Sequence, residues 1–406
     1  MSDNDKIKEV LNRSVSAIYP SREALEKALS SGKKLKIYLG VDPTGPHLHL
    51  GQLTNLLLLK KLQNLGHEII FLIGDFTGRI GDPTDKLATR KQLTEKDVAI
   101  NMKTFKEQVG RIINFSGKNA VKIAFNSKWL AKMTLTDWIG ISANVTVQQM
   151  IERDMFRERL KGGKPIFIHE FFYPLMQGYD SVAMDVDMEI GGNDQTFNML
   201  MGRHLMKTYK NKEKFVLTTK LLEHPKTGRK LMNKSEGGMI NLDDEPADIF
   251  GKVMALDDVS IVPVAELCTE MPLADVEKIK KTLVDGKSNP RDSKFDVAEA
   301  VVKTIYGEKE AAAARARYIE MFSKKEIPED LPVYKIVENN LTAFGTIATI
   351  IKAIEHRDIS NSEARRLVEH GGFEVAGTVK KDPKEKINLK GGEIIRIGKK
   401  KFFRVG

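Results

Sequence analysis

The chain has 406 residues, with 65 Lys and Arg against 55 Asp and Glu, a net charge of +10 and 41% hydrophobic residues. That length suits two or three domains, each able to bury a core. One cysteine, Cys268, excludes a disulfide framework and a cysteine-built zinc site. The opening "MSDNDKIKEVLNRS" has no apolar signal core, and no apolar run approaches a membrane span, so a cytoplasmic protein is expected. The charge is uneven. Residues 331–406 carry 15 basic and 9 acidic side chains, and the other 330 residues carry 50 and 46. A small basic unit on a near-neutral body suggests a polyanionic partner, nucleic acid first.

In chain order, a helical lead-in is followed by the strand "KIYLG" (Lys36 to Gly40). "HLGQLTNLLLLKKLQNLG" then reads as a helix whose leucines face one way and whose Lys60, Lys61, Gln63 and Asn64 face the other. Gly66 stops it. The loop before it delivers His49, Gly51 and Gln52 to a helix N-terminus, where free N–H groups and the macrodipole favour an anion. "HEIIFLIGDFTG" is a second strand of the continuously apolar kind that parallel sheets bury on both faces. Strand, helix and strand at this spacing predict a βαβ unit of a Rossmann-like, doubly wound α/β sheet. Residues 89–164 read as mostly helical. "YPLMQGYD" predicts a helix with Tyr173, Gln177 and Asp180 on one face. "MDVDMEIGGNDQTFNMLMGRHLMK" repeats the strand, glycine turn and helix. From Glu245 to about Phe322 the pattern is helical, "FSKKEIPEDLP" is a linker, and the end is a capped helix with short strands.

Five segments, "DPTGPHLHLGQ", "IGDFTGRIGDPTDK", "EFFYPLMQGYD", "IGGNDQTFN" and "RKLMNKS", stand in the order and at the spacings of the bacterial tyrosyl-tRNA synthetase family, a class I group with HIGH and KMSKS signatures. The chain resembles that family over nearly its whole length. "SNPRDSKFDVAEAVVKTIYGE" is similar to its helical domain, and the C-terminal unit to its S-four-like RNA-binding domain. The resemblance implies tyrosyl-adenylate formation from L-tyrosine and ATP with Mg²⁺ as co-substrate, no tightly bound cofactor or zinc, and esterification of a tyrosine tRNA. It also implies a homodimer.

Such chemistry needs alignment, and donors aimed at phosphate oxygens. The resemblance places His49 and Gln52 at the HIGH position, with Gln52 replacing a histidine, and Gly51 where the nucleotide approaches the backbone. Lys234 is the KMSKS cation. Leu231 stands at the first lysine of that motif and Asn233 at a serine, so Lys230 is a candidate for the missing charge. By resemblance, Tyr173, Gln177 and Asp82 hold the α-amino group of the substrate, and Tyr38 and Asp180 its phenolic hydroxyl. Gly192, Asp194 and Gln195 are the ribose and carboxylate contacts, and Gln195 counts with the tyrosine-binding set. Asp42, Lys86, Met232 and Ser235 join Lys234 on the ATP side.

In the tail, Arg365 and Arg366 lie on a helix capped by Ser360 or Ser362. With Lys380, Lys381 and Lys399 to Lys401 they form a phosphate-reading surface for tRNA. The expected organisation is therefore 1–225, a catalytic domain with a helical insertion at about 125–170; 226–330, the KMSKS-like loop and a helical anticodon-binding domain; and 331–406, a small α+β RNA-binding domain. Three alternatives stand beside it: the tryptophan enzyme of the same fold, a non-catalytic synthetase-like RNA-binding protein, and a small-molecule adenylyltransferase.

Overall fold

The computed structural model describes residues 2–82, 93–233, 238–285, 289–322, 331–336, 338–355, 357–398 and 401–406. The chain divides into two compact units, 1–315 and 316–406. The segments expected as the first two domains thus lie almost wholly within the first unit. Among the described residues no helix is long and apolar enough to cross a membrane.

The first unit is built on a six-stranded sheet of β1 (Val15–Tyr19), β2 (Lys36–Val41), β3 (Glu68–Ile73), β4 (Lys122–Phe125), β5 (Met188–Gly192) and β6 (Phe215–Thr219). Its spatial order is β1-β6-β5-β2-β3-β4, parallel except for β1, which runs antiparallel to β6. The chain winds outward from β2 through β3 to β4, then returns to the other side of β2 with β5 and β6. Strand order therefore reverses between β2 and β5. In open α/β sheets, such a reversal leaves a crevice at the carboxyl ends of the strands.

The βαβ unit forms as its sequence dictates. In β3, Ile69 to Ile73 are all buried, as a strand covered on both faces requires. The Leu50–Asn64 helix buries Leu50, Leu53, Leu56, Leu57, Leu58, Leu59 and Leu62, each contributing about 1.5–3 kcal/mol of transfer free energy. Gly66 ends it at φ +90°, a left-handed conformation that glycine adopts without Cβ strain.

Two strands fall where helix was expected: β1 inside the lead-in and β4 inside residues 89–164. Both are short edge strands, and four or five residues give too few alternations to stand out from a helical pattern. Around β4 the insertion is helical, with Ser127–Leu130, Leu135–Ser142, Val147–Ile151 and Asp154–Lys161. The Ile168–Met184 helix then leads into β5, and Thr196–Lys210 follows it.

The helices Pro246–Ala255, Ile261–Cys268, Leu273–Asp285 and Pro290–Tyr306 belong to the same unit. Arg13, buried at the end of the first helix, ties them to the N-terminus. Its guanidinium donates to the carbonyls of Ala265, Glu266, Thr269 and Met271.

The second unit holds a five-stranded sheet of β7 (Val333–Tyr334), β9 (Phe373–Val375), β10 (Thr378–Lys380), β12 (Ile394–Ile397) and β13 (Lys401–Val405) in the order β10-β9-β12-β13-β7. A separate pair joins β8 (Leu341–Thr342) to β11 (Lys386–Ile387). Its core gathers Tyr334, Ile347, Ile350, Val368, Phe373, Ile395 and Phe403. The Asn361–Glu369 helix is capped by Ser360, whose hydroxyl accepts from the Glu363 amide at 3.2 Å. A second helix, Ala343–Glu355, lies where the sequence had shown none.

Candidate active site

The crevice beyond β2 and β5 gathers most of the residues singled out from sequence. Asp42 directly follows β2. Its Oδ2 accepts from the Tyr173 hydroxyl at 2.8 Å, and its Oδ1 from Thr77 at 2.7 Å. Gly74, after β3, makes this possible: a Cβ there would stand 1.9 Å from Asp42 Oδ1. Tyr173 therefore bonds to Asp42, where the sequence reading had grouped it with Asp82.

Asp82 is bound instead by Arg153 Nη2 and Gln195 Nε2, each at 2.7 Å. Gln195 Oε1 and Gln177 Oε1 share the amide of Asn198, at 3.1 and 2.9 Å. Gln177 Nε2 donates to Glu189 Oε1 at 3.1 Å. A side-chain chain therefore runs from Asp82 through Gln195, Asn198 and Gln177 to Glu189.

Asp180, two turns beyond Tyr173 on the same helix, is 2% exposed. It accepts from Trp129 Nε1 at 2.7 Å and Asn126 Nδ2 at 3.2 Å. Asn126 also donates to Thr77 at 2.9 Å, which links the Asp180 and Asp42 clusters. Burial pushes the Asp180 carboxyl well above the usual carboxylate range, the two N–H donors pull it back, and Glu189 and Asp42 push it up further.

Tyr38 lies in the middle of β2, not at its end, and is fully buried. Its hydroxyl bonds to Ser181 Oγ at 3.0 Å. Ser181 accepts from Lys214 Nζ at 2.9 Å, and Lys214 pairs with Glu189. Burial raises the phenols of both Tyr38 and Tyr173; Glu189 and Asp180 add to it at Tyr38, and Asp42 and Asp82 at Tyr173.

The helix N-terminus at His49 differs from the expectation of free amides. The Leu50 amide donates to the Ile240 carbonyl, the Gly51 amide to His49 Nδ1 at 3.1 Å, and the Gln52 amide to the His49 carbonyl. Gln52 Oε1 accepts from the His49 amide at 3.0 Å. The amides of Leu50, Gly51 and Gln52 are thus already bonded within the fold. With Nδ1 accepting, the imidazole proton is assigned to Nε2. The neighbouring His47 bonds to Asp243 at 2.7 Å.

Asp194 opens the turn after β5 and Gly192 precedes it. A Cβ on Gly192 would stand 2.7 Å from Asp194 Oδ1. Lys230 Nζ reaches Asp194 Oδ2 at 2.6 Å, so this lysine is joined to that carboxylate. Met232 is buried, and its sulfur accepts from the Ile240 amide at 3.5 Å. Lys86, Lys234 and Ser235 lie outside the described residues. Among the described residues, no three His, Cys, Asp or Glu side chains are grouped as a metal site requires.

In the second unit Arg365 and Arg366 are exposed, and the Arg365 guanidinium stacks 4.7 Å from the Phe344 ring centroid. Lys380 pairs with Glu385 and Lys401 with Glu355, which neutralises part of the basic surface. Lys399 and Lys400 lie outside the described residues.

Residues 30–323 match the family model described as tRNA synthetases class I (W and Y). The chain belongs to the class I tRNA synthetase family of the W and Y type. It is an aminoacyl-tRNA synthetase. A tyrosine–tRNA ligase of Moorella thermoacetica is 39% identical, covering 98% of this chain and 94% of that protein. One of Carboxydothermus hydrogenoformans is 40% identical over 98% and 97%. Tyrosine–tRNA ligase 2 of Vibrio vulnificus is 41% identical over 97% of each. Among solved structures, a C-terminally truncated mitochondrial tyrosyl-tRNA synthetase of Aspergillus nidulans shares the fold, with TM-score 0.64, 23% identity, and 79% of this chain and 94% of that one covered. The tyrosyl-tRNA synthetase of Archaeoglobus fulgidus, solved with L-tyrosine, does so at TM-score 0.60 and 19% identity, over 77% and 100%.

Within this synthetase, sequence reasoning missed Thr77, Asn126, Trp129, Arg153, Ser181, Glu189, Asn198 and Lys214. Asn126 was hidden because β4, which places it at the sheet's carboxyl edge, was hidden. Trp129 carried a weak signal, as one of only two tryptophans in the chain.

Proposed function

We propose that the crevice between β2 and β5 binds L-tyrosine and ATP and joins them as tyrosyl-adenylate. The chain is a tyrosine–tRNA ligase. A carboxylate oxygen of tyrosine attacks the α-phosphorus of ATP, the bond to the β-phosphate oxygen breaks, and pyrophosphate leaves. The hydroxyl of the 3′-terminal adenosine of the tRNA then attacks the acyl carbon and AMP leaves. ATP carries its magnesium as co-substrate.

The observation that carries the amino-acid assignment is Asp180: a buried carboxylate fixed by Trp129 and Asn126, whose charge acts on the buried Tyr38 hydroxyl. Trp129, Asn126 and Ser181 hold these groups in place, and a carboxylate keeps lone pairs with which to accept from a phenol. A phenyl ring offers no polar atom and an indole only an N–H donor, whereas a phenol can donate to Asp180 and accept from Tyr38 at once, which favours tyrosine. Tyr173, Gln177, Asp82 and Gln195 take the amino and carboxylate end. Asp42, Gly51, Lys86, Gly192, Asp194, Met232, Lys234 and Ser235 take the nucleotide, with His49, Gln52, Lys230 and Lys234 serving the transferred phosphate.

Residues 226–330 serve as the anticodon-binding domain and 331–406 as the RNA-binding domain, reading tRNA phosphates through Arg365, Arg366, Lys399 and Lys400. The enzyme works as a cytoplasmic homodimer. Pyrophosphate exchange into ATP with tyrosine, phenylalanine and tryptophan tests the assignment. Exchange supported by tyrosine alone is expected. A preference for tryptophan would overturn the pocket reading, and absence of exchange with any amino acid would favour a non-catalytic role.

A further inference from the structure

Beneath the Tyr38 hydroxyl lies a polar group of a kind that buried cores usually avoid. Lys214 is fully buried, and its ammonium contacts Glu189 and Ser181, 5.9 Å from the Tyr38 ring centroid. A buried ion pair is weak evidence of stability, because desolvating two charges offsets much of their attraction. Its geometry points to another use.

An ammonium only donates hydrogen bonds. Ser181 Oγ therefore accepts from Lys214 at 2.9 Å. Among the described residues the one other partner of this buried oxygen is the Tyr38 hydroxyl, at 3.0 Å. A buried serine hydrogen needs an acceptor, and the Tyr38 oxygen is the partner it has, so we take Ser181 as the donor in this pair. Tyr38 accepts, and its own hydrogen is left for a third group. Glu189 is the acceptor that competes for that hydrogen, since it acts on Tyr38 both through its charge and through a side-chain hydrogen bond. It is already held by Lys214 on one oxygen and Gln177 on the other. Gly202 keeps the space open: a Cβ there would stand 2.5 Å from Lys214 Nζ and 2.8 Å from Ser181 Oγ.

We propose that Lys214 and Ser181 are positioning residues for amino-acid selection, fixing Tyr38 as a hydrogen-bond donor toward the side-chain oxygen of the bound amino acid. The proposal rests on the reading of this crevice as the tyrosine pocket. The ligand's phenolic oxygen accepts from Tyr38, and its hydrogen is directed to Asp180. A side chain without a hydroxyl leaves both protein groups unmatched, which is where selectivity against phenylalanine arises.

The test is kcat/KM for pyrophosphate exchange with tyrosine and with phenylalanine, in wild type, Tyr38→Phe, Ser181→Ala and the double variant. Ser181→Ala is expected to narrow the tyrosine-to-phenylalanine ratio roughly three- to ten-fold, the scale of one misdirected hydrogen bond, with phenylalanine use unchanged. It should have no further effect in the Tyr38→Phe background, because the relay then has no hydroxyl to direct. Glu189→Gln with Lys214→Met removes the ammonium without leaving a buried unpaired charge; it should narrow the ratio likewise, and it carries the test if Ser181→Ala does not fold. If Tyr38→Phe narrows the ratio and neither relay variant does, the relay is wrong and the pocket stands. An additive effect of Ser181→Ala on Tyr38→Phe would mark a general packing role and overturn the proposal. If Tyr38→Phe itself leaves the ratio unchanged, the pocket reading fails and the relay with it.

Discussion

The Tyr173 hydroxyl and the Asp42 carboxylate meet at 2.8 Å, joining the second turn of the Ile168–Met184 helix to the carboxyl end of β2. Thr77 holds the other Asp42 oxygen, so the carboxylate is oriented from two sides. Tyr173→Phe removes one of two charge-assisted bonds, each on the order of 1.5–3 kcal/mol. The expected result is a fall of roughly ten- to a hundred-fold in kcat/KM for tyrosine in pyrophosphate exchange. Equal kinetics would mean that Thr77 alone positions Asp42.

The two lysines of the "RKLMNKS" segment should separate. Lys234→Ala is expected to slow single-turnover adenylate formation by about 10²-fold with little change in tyrosine affinity, because such a cation acts mainly in the transition state. Lys230→Ala, which removes the partner of Asp194, should change the KM for ATP more than the rate of the chemical step. Stopped-flow measurement of both variants checks this. Identical profiles would show that the two cations act as one group.

A chain ending at residue 330 keeps the whole of the first compact unit. It should retain pyrophosphate exchange and lose most tRNA charging, since the missing residues hold 15 of the basic side chains. tRNA affinity of the full chain should fall more steeply with salt than that of the short one. Parallel salt slopes would take the tail off the phosphate backbone.

Cys268 supplies a pH prediction. Burial pushes its thiol up to about 12, and its sulfur lies 3.5 Å from the Leu50 carbonyl. The folded value is raised, so the contribution of this thiol to stability is fully present below its unfolded value, roughly pH 8.5, and is lost as pH rises from there through about 12. At pH 8 the native protein should not react with a thiol-specific disulfide reagent, and one thiol per chain should appear on unfolding. Stoichiometric labelling of the folded chain would place Cys268 nearer to solvent than the structure does.

What the sequence disclosed follows from where the free energy lies. The leucine helix and β3 announce themselves because burying Leu50 to Leu62 and Ile69 to Ile73 demands long apolar runs. Asp42, Tyr173, Gln177 and Asp180 were legible as carboxylates, amides and a phenol at strand ends or on one helix face. Lys214 was not. It sits in "KNKEK", where every local cue reads as a solvated loop, and its burial is decided by Glu189 and Ser181, which come from other elements. Arg153 was concealed in the same way, inside a charged helical insertion, and its role beside Asp82 exists only in three dimensions. The first-turn amides of the Leu50 helix failed the expectation for a local reason: histidine and glutamine side chains can close a cap as readily as they meet a phosphate.

The pairing of β1 with β6 has a consequence for how the chain is made. Val15 lies opposite Thr219, about 200 residues later. No segment synthesised earlier can complete that edge, and closing so long a loop carries an entropic cost before any contact rewards it. The N-terminal strand leaves the ribosome first, yet it is among the last of this sheet to find its neighbour. During translation its apolar side must wait, with Arg13 beside it, until the residues that accept them have emerged.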